Sequence, residues 1–320
     1  MSLQQPTLAN PALNVAEFDH KLERVHEALE QRMWDVVASE VNILQDASRH
    51  ILGAGGKRVR PRLLFLTYTA MGGSHLEETL DLSAALELIH TASIVHDDIN
   101  DHGVVRRGRP SVNAKWGRTF ALLTGDYLFT KVFELIGRYG ELNPILSSAT
   151  TALVEGETLQ AAAVKNHEFT REIYFRIINL KTAALFRAAA KLGAVMAGAS
   201  REQAEALANF GNNLGLSFQI VDDVLDVTSS TEQLGKTSGI DVAQGRGVAV
   251  AFEDSHDHAG EIDPMLSIRA HILNGKTLEE AVFQARRLVE EAIEQIAFLP
   301  PSPAKDALIN LAHSVTDRTS

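Results

Sequence analysis

The chain has 320 residues, a formal net charge of −11 and a hydrophobic fraction of 45%, and it contains no cysteine. This apolar content is enough to fill a core, so the chain as a whole is not disordered, and the missing cysteines exclude disulfides, thiol catalysis and Cys-ligated metal sites. The acidic balance argues against a nucleic-acid-binding protein.

Helical patterns follow one another along most of the chain. Residues 1–15 are expected to form a flexible tail, and residues 16–320 a single domain. From Glu17 to Ile51 apolar residues recur at helical spacing, which predicts one long helix ended by the glycines that follow residue 52. Further apolar segments of helix-forming residues cover 62–71, 76–100, 115–139, 143–165, 168–197, 201–227 and 277–298. The pattern predicts an all-α fold of about ten helices.

Two further expectations concern a polar loop and the location of the protein in the cell. The polar stretch 228–247 is rich in Gly, Ser and Thr, as a functional loop would be. The chain shows neither a signal peptide nor a hydrophobic run of about 18 residues, the length that a membrane span needs. We therefore expect a cytoplasmic protein.

An Asp-Asp-x-x-Asp motif occurs twice, each time on an otherwise apolar helix. Its two copies consist of Asp97, Asp98 and Asp101, and of Asp222, Asp223 and Asp226. The outer aspartates are four residues apart, so their carboxylates share a helical face and repel one another unless a cation lies between them. Oxygen ligands of this kind suit Mg²⁺ shared with substrate phosphates. One copy is equally well explained as a solvated helix end, but two favour a metal site.

Two basic clusters accompany the aspartates. Residues 55–62 place four basic side chains after two glycines, and residues 106–109 contain three arginines shortly after the first aspartate motif. Either cluster alone is more often a solvated surface. Beside paired metal sites, however, arginines with their bidentate geometry indicate a site that binds a polyanion.

These motifs resemble, in order and spacing, those of the trans-polyprenyl diphosphate synthases. The resemblance extends from about Leu22 to Arg318 and rests on residues 55–61, 90–101, 106–108, 181–182 and 218–223. It implies the isoprenoid-synthase fold, an antiparallel helical bundle around a deep central cavity, usually in a homodimer. It also implies a prenyltransferase that condenses isopentenyl diphosphate with an allylic diphosphate of farnesyl or geranylgeranyl type and releases diphosphate.

The resemblance assigns a role to each matching position. The two aspartate motifs would hold Mg²⁺, as a rule three ions, against the allylic diphosphate, with Asp97, Asp101 and Asp222 as the metal ligands. The positions that would contact this diphosphate are Arg106, Lys181, Thr182, Gln219 and Lys236. The positions that would bind isopentenyl diphosphate are Lys57, Arg60, His90 and Arg107. Lys181 and the six aspartates are the expected catalytic residues.

The helix that ends in Asp97 is expected to set the product length. In the family, a bulky aromatic residue four or five positions before the first aspartate stops elongation early. Here these positions are Ala92 and Ser93, and Ile89 lies deeper on the same face. The small side chains favour a long product of octaprenyl or solanesyl type, as used for quinone side chains. A shorter-chain, geranylgeranyl diphosphate synthase is the alternative.

Hypotheses from other classes account for fewer of these residues. A His-Asp metal phosphohydrolase would use His90, His96 and Asp97 but leave the second motif and the arginines without a role. A class I terpene cyclase normally lacks the second full motif and the basic site. A non-catalytic partner subunit is favoured only by residues 245–250, which keep a cation at Arg246 but lack the threonine and proline usual in the family.

Overall fold

The computed structural model describes residues 15–166, 170–228 and 276–317, and nearly all of them are helical. The helices are α1 (Val15–Val36), α2 (Asn42–Leu52), α3 (Val59–Ala70), α4 (Leu80–Asn100), α5 (Val112–Trp116), α6 (Arg118–Ile136), α7 (Asn143–Asn166), α8 (Arg171–Ile178), α9 (Ala184–Met196), α10 (Arg201–Thr228), α11 (Lys276–Gln295) and α12 (Pro303–Thr316). A 3₁₀ turn, Leu76–Thr79, precedes α4, and a π-helical turn, Asn179–Ala183, joins α8 to α9. The all-α prediction is confirmed.

Several expectations fall outside the described residues. They concern the tail before Val15, nearly all of the polar loop 228–247, Lys236, and the altered segment 245–250. Within the described part of the chain, no helix is both long and apolar enough to cross a membrane.

Helix α4 lies at the centre of one half of the bundle. All nine residues from Asp81 to Ile89 are buried, and the helix packs against α1, α3 and α6. A helix that is apolar on every side has to be covered on every side. Helix α1, in contrast, buries a single stripe at spacings of three, four and seven residues. The outer face of α1 is accordingly polar and exposed.

The second half of the bundle is built around α9 and α10. Helix α3 packs against α9, which in turn packs against α7 and α10, and α10 packs against α11. The α3–α9 approach is close because Gly193 has no side chain: a Cβ there would lie 2.4 Å from the carbonyl oxygen of Leu64. One continuous apolar core therefore runs through both halves.

Two local features differ from the sequence prediction. The single helix predicted over 17–51 is wrong, because α1 ends at Val36 and α2 begins at Asn42. Between them, the Ser39 hydroxyl accepts a hydrogen bond from the Val41 N–H at 3.1 Å, a local bond that competes with helix formation. The other feature is a short hairpin, β1 (Val105–Arg106) and β2 (Arg109–Pro110), the only strands among the described residues.

Candidate active site

The first aspartate motif ends α4 and divides into one buried and two more accessible carboxylates. Asp98 is 1% exposed, and its Oδ1 accepts hydrogen bonds from Arg106 Nη2 at 2.6 Å and Nε at 3.1 Å. Burial raises the pKa of Asp98, although Arg106 opposes this shift. Asp97 and Asp101 are only half-buried. Asp98 thus ties the hairpin to α4, while the outer pair is left accessible from the site.

The second motif, near the end of α10, divides in the same way. Asp223 is buried; its Oδ2 accepts a hydrogen bond from the Tyr174 hydroxyl at 2.6 Å, and its Oδ1 accepts one from Gln219 Nε2 at 2.9 Å. Asp222 is half-buried. Asp226 belongs to α10, but its side chain lies outside what the structure describes. In both motifs, the middle aspartate is therefore held by protein donors.

The π-helical turn between α8 and α9 connects the two motifs. Lys181 Nζ lies 3.4 Å from Asp97 Oδ2 of the first motif. The next residue, Thr182, donates a hydrogen bond from its hydroxyl to Gln219 Oε1 at 2.7 Å, and Gln219 bonds Asp223 of the second. π-turns are rare and occur frequently at functional sites. Here the turn brings two consecutive residues to the two metal-binding motifs expected from the sequence.

Two glycines allow neighbouring helices to approach this turn. A Cβ on Gly156 of α7 would lie 2.6 Å from the backbone nitrogen of Lys181. A Cβ on Gly215 of α10 would lie 2.7 Å from Cα of Ala183. Both distances are shorter than van der Waals contact, so any larger residue would push α7 or α10 away from the turn. The glycines thereby set the positions of the residues that follow them on each helix.

Glu157, which the sequence reasoning missed, follows one of these glycines. Its Oε1 lies 2.7 Å from Lys181 Nζ. Burial, and then the charge of Asp97, raise the pKa of Glu157 to about 7, although Lys181 opposes this rise. Glu157 and Asp97 thus hold the Lys181 ammonium between them. The sequence did contain one signal for Glu157, because Gly156 is a glycine inside a strongly helical segment and directly precedes this acidic residue.

A basic pocket lies beside the first motif. Its lining includes Arg58, Glu87, His90, Arg106 and Arg107. Burial, followed by the guanidinium groups of its arginine neighbours, holds the pKa of His90 well below its usual range, so the imidazole is neutral at pH 7. Three of the side chains that line the pocket, His90, Arg106 and Arg107, were expected from the sequence to bind a diphosphate. The pocket is therefore suited to an anion.

Arg60 and Arg107 reach this region from different elements. Arg60 is 8% exposed in the first turn of α3, with its guanidinium 4.8 Å from the ring centre of Phe186, and burial lowers its pKa to about 10. Arg107 occupies the hairpin turn with φ = 51° and is followed by Gly108 with φ = 72°. Two positive φ values are the signature of a type I′ turn, which a non-glycine residue adopts only under constraint. A Cβ on Gly56 would lie 2.7 Å from Arg107 Nη1, so Gly56 leaves room for this side chain.

The other predicted residues lie close to this region or outside the described chain. Lys57 is exposed in the turn before α3. Ala92 and Ile89 are fully buried in α4, and the Ser93 hydroxyl donates to the His90 carbonyl oxygen at 2.9 Å. No aromatic side chain occupies these three positions.

His96 is directed away from His90, toward α6. Its Nε2 lies 3.3 Å from the Leu122 carbonyl oxygen and 3.5 Å from Asp126 Oδ1. Gly125 makes room for the ring, since a Cβ there would lie 2.1 Å from Nε2. The two histidines that a His-Asp phosphohydrolase would combine are thus on different sides of α4.

The carboxylates of the outer aspartates fit a metal that arrives with its substrate. Across residues 15–166, 170–228 and 276–317, no three acidic or histidine side chains surround a common point at which they could hold an ion. Mg²⁺ does not need such a cage, since one or two carboxylates suffice when waters and phosphate oxygens complete the octahedron. Asp97, Asp101 and Asp222 provide partly accessible carboxylates of this kind.

Comparison with known proteins identifies the family of the chain. The sequence model of the family described as "Polyprenyl synthetase" matches residues 41–271. The octaprenyl diphosphate synthase of Escherichia coli is 34% identical, over 93% of this chain and 99% of its own length. "Heptaprenyl diphosphate synthase component 2" of Geobacillus stearothermophilus is 36% identical, over 89% and 93%.

A solved structure extends the comparison to the fold. The geranylgeranyl pyrophosphate synthetase of Pyrococcus horikoshii superposes with a TM-score of 0.83 at 31% identity, covering 94% of this chain and 99% of the other. The helices described above thus form the isoprenoid-synthase fold, and the phosphohydrolase hypothesis is wrong. Given the matched motifs, the fold and the coverage of these relatives, the chain belongs to the polyprenyl synthetase family and is a prenyltransferase.

Proposed function

We propose that this chain condenses isopentenyl diphosphate with an allylic diphosphate, in a Mg²⁺-dependent reaction that it repeats to make a long all-trans polyprenyl diphosphate. The π-turn carries the proposal. Lys181 lies 3.4 Å from Asp97, and the neighbouring Thr182 connects through Gln219 to the second motif. A diphosphate between the motifs would meet an ammonium, a hydroxyl and the outer carboxylates in one place. We propose that all six aspartates and Lys181 serve this site.

The first task of these residues is to bind and neutralise the allylic diphosphate. Mg²⁺ held by Asp97, Asp101 and Asp222 would supply positive charge as the diphosphate leaves. Lys181 would add an ammonium to the same oxygens, and Arg106, fixed by Asp98, a guanidinium. Groups that are already oriented stabilise developing charge without reorganising. Ionisation of the allylic C–O bond would then yield the carbocation that isopentenyl diphosphate attacks.

The second task is to hold isopentenyl diphosphate in reach of that carbocation. The diphosphate would be bound by Arg107, which lines the basic pocket, and by Arg60 and Lys57 of the neighbouring turn, with neutral His90 as a hydrogen-bonding partner. Fixing both substrates makes the addition effectively unimolecular. The departing diphosphate carries enough negative charge to accept the proton lost in the last step. Lys236, which is expected at the allylic diphosphate, remains a prediction from the sequence.

An extension assay tests this function directly. Purified protein is incubated with Mg²⁺, labelled isopentenyl diphosphate and farnesyl or geranylgeranyl diphosphate, and the products are separated by chromatography. We expect a ladder of products whose uppermost member is the final chain length, and no products when EDTA removes the metal. A protein that extends no allylic primer would contradict the enzymatic proposal and favour a non-catalytic partner subunit.

The long-chain part of the proposal depends on the small side chains of α4. Ala92 is 0% exposed and has no aromatic neighbour at position 93. Replacing Ala92 in steps by Leu and then by Tyr should shorten the product in steps, because a larger side chain narrows the path of the growing hydrocarbon. Circular dichroism melting identifies variants that fail to fold. If folded variants give the wild-type product length, the small side chains of α4 do not set that length. A wild-type product of geranylgeranyl length would contradict the long-chain proposal itself.

We also propose a homodimer, with α6 and α7 at the interface. Large apolar side chains are exposed there: Phe120 (40%), Leu122 (49%), Leu123 (48%), Phe133 (71%) and Val154 (52%). Exposed apolar side chains concentrated on two helices favour an interface there. Light scattering should give twice the chain mass, and Phe133→Glu should reduce it to the monomer mass, whereas a monomeric wild type would contradict the proposal. The single domain over 16–320 and the cytoplasmic location stay predictions from the sequence.

A further inference from the structure

A buried arginine links the first helix to the basic pocket. Arg58 is 4% exposed. Its Nε donates to Glu30 Oε1 of α1 at 2.6 Å, its Nη1 to Glu87 Oε1 of α4 at 2.9 Å, and its Nη2 to the Leu52 carbonyl oxygen at the end of α2 at 3.0 Å. One guanidinium thus joins three helices. We call Glu30, Arg58 and Glu87 the arginine bridge.

The backbone at Arg58 is held in an unfavourable conformation. Its φ is 44° and its ψ is 42°, in the left-handed region that glycine prefers. Arg58 is also the N-cap residue that directly precedes α3, so the conformation of Arg58 sets where that helix starts. Strained backbone of this kind persists only when surrounding contacts enforce it, and it occurs preferentially at functional sites. Here the hydrogen bonds of the arginine bridge supply that constraint.

The constrained turn carries two of the expected diphosphate ligands. Lys57 precedes Arg58, and Arg60 follows it in the first turn of α3. Glu87 lines the basic pocket, and its charge also acts on Arg60 and Arg107. Glu30, in contrast, lies on α1, and its side chain is 34% exposed. Glu30 does not line the pocket, and both of its carboxylate oxygens accept hydrogen bonds from Arg58, which does.

We propose that Glu30 is a positioning residue for the isopentenyl diphosphate site and acts through Arg58 to fix the turn that presents Lys57 and Arg60. This inference rests on the proposed function, because it concerns the substrate of the same pocket. Without the Glu30 carboxylate, Arg58 keeps its hydrogen bond to Glu87 but loses its charged hydrogen-bond partner on α1. The turn can then relax from its left-handed conformation, and the two cations lose their fixed positions. Binding of isopentenyl diphosphate should weaken, while the allylic site beside the π-turn stays intact.

The chain contains a matched control on the same two helices. Arg32 of α1 donates from its Nε to Asp81 Oδ1 of α4 at 2.7 Å, and its side chain is 41% exposed. This pair joins α1 to α4 just as the arginine bridge does, but Asp81 lies at the opposite end of α4 from the aspartate motif. If attachment of α1 to α4 were all that mattered, Arg32→Gln and Glu30→Gln would have the same effect.

The experiment compares Glu30→Gln with Arg32→Gln. Calorimetric titration of the purified protein with isopentenyl diphosphate gives its Kd, and steady-state assays give KM for each substrate. We expect Glu30→Gln to raise the Kd and KM for isopentenyl diphosphate by about tenfold, as for one lost charge-assisted hydrogen bond, and to change the KM for the allylic substrate by less than about twofold. Arg58→Lys should shift the same constants in the same direction, and the double variant should not add the two effects. Arg32→Gln should leave both KM values unchanged.

Three results would overturn the inference: an unchanged Kd for isopentenyl diphosphate in Glu30→Gln, an equal rise in both KM values, or the same rise in Arg32→Gln. Thermal unfolding of each variant separates these outcomes from loss of folding. The proposed function fails separately. A wild type that binds isopentenyl diphosphate without extending any primer contradicts the reaction, yet its Kd still decides the role of Glu30. A wild type that does not bind isopentenyl diphosphate contradicts both.

Discussion

Replacing Glu157 by glutamine should stabilise the metal-free protein at alkaline pH. In the folded chain, burial and the charge of Asp97 raise the pKa of Glu157 from 4.5 to about 7. The folded protein therefore keeps a proton between these two pH values that the unfolded chain releases. Because the native state binds more protons in this window, its free energy of unfolding falls as pH rises through it. Glutamine has nearly the shape of the protonated acid and has no charge to desolvate.

The magnitude follows from the width of the window. The two pKa values differ by 7 − 4.5 = 2.5 units, and each unit corresponds to about 1.36 kcal/mol, so the loss above pH 7 is at most about 3 kcal/mol. We expect Glu157→Gln to be more stable than the wild type by up to this amount at pH 8, and the two proteins to converge near pH 4.5. The opposing effect of Lys181 is already contained in the raised pKa.

Urea denaturation in EDTA, followed by circular dichroism from pH 5 to pH 8, measures this difference. Glu155→Gln is the control, because Glu155 lies on the same helix but is exposed. The difference between each variant and the wild type removes the contribution of titrating groups that do not interact with Glu157. Parallel stability profiles for the wild type and Glu157→Gln, or a Gln variant that is less stable at pH 8, would refute the reasoning. Either result would mean that the Glu157 carboxylate is charged in the folded protein without lowering the free energy of unfolding.

Two further predictions concern the supports of the site. Tyr174→Phe removes the buried hydrogen bond to Asp223 and should lower the free energy of unfolding by about 2 kcal/mol in urea titrations, whereas Tyr127→Phe, whose hydroxyl bonds an exposed carbonyl, should change it by less than about 1 kcal/mol. Equal effects of the two substitutions would show that the hydrogen bond to Asp223 contributes no more to stability than the exposed one. Gly156→Ala places a methyl group 2.6 Å from a backbone nitrogen of the π-turn and should lower both stability, by about 1–3 kcal/mol, and kcat, while Gly140→Ala, with nothing within 4 Å, should lower neither. An active Gly156→Ala protein would mean that the turn tolerates displacement.

The sequence predicted those parts of the site that lie on single helices. Asp97 and Asp101 share one helical face because of their spacing, and this relation needs no tertiary information. Lys181 was expected as a ligand only through the resemblance to a family. Its partner Glu157 depends on how closely α7 approaches the π-turn, and a single sequence does not encode that distance in any periodic pattern. The break after Val36 was missed for a different reason, because the apolar periodicity of α1 continues through the break into α2.

The basic pocket shows a second limit of sequence reasoning. A run of glycines and basic residues indicates an anion site but does not distinguish cations that face a ligand from those that hold the loop. Arg58 is as basic as its neighbours in the run, yet its guanidinium is occupied by Glu30, Glu87 and a backbone carbonyl. Only burial and hydrogen bonding separate these roles. Counting the basic residues of a motif therefore overestimates how many of them are available to a substrate.

The π-turn also affects how the gene for this protein can change. Helices α8 and α9 form one continuous rod that includes the turn, from Arg171 to Met196. Each residue of an α-helix corresponds to about 100° of rotation, so deleting one residue inside α9 would turn the face that packs on α3 away from it. A π-turn, in contrast, winds one extra residue into the helix, so deleting the exposed residue Asn179 would leave an ordinary α-helical turn and keep α9 in register. Single-codon deletions should therefore be tolerated least within the two α-helices and best at the turn between them.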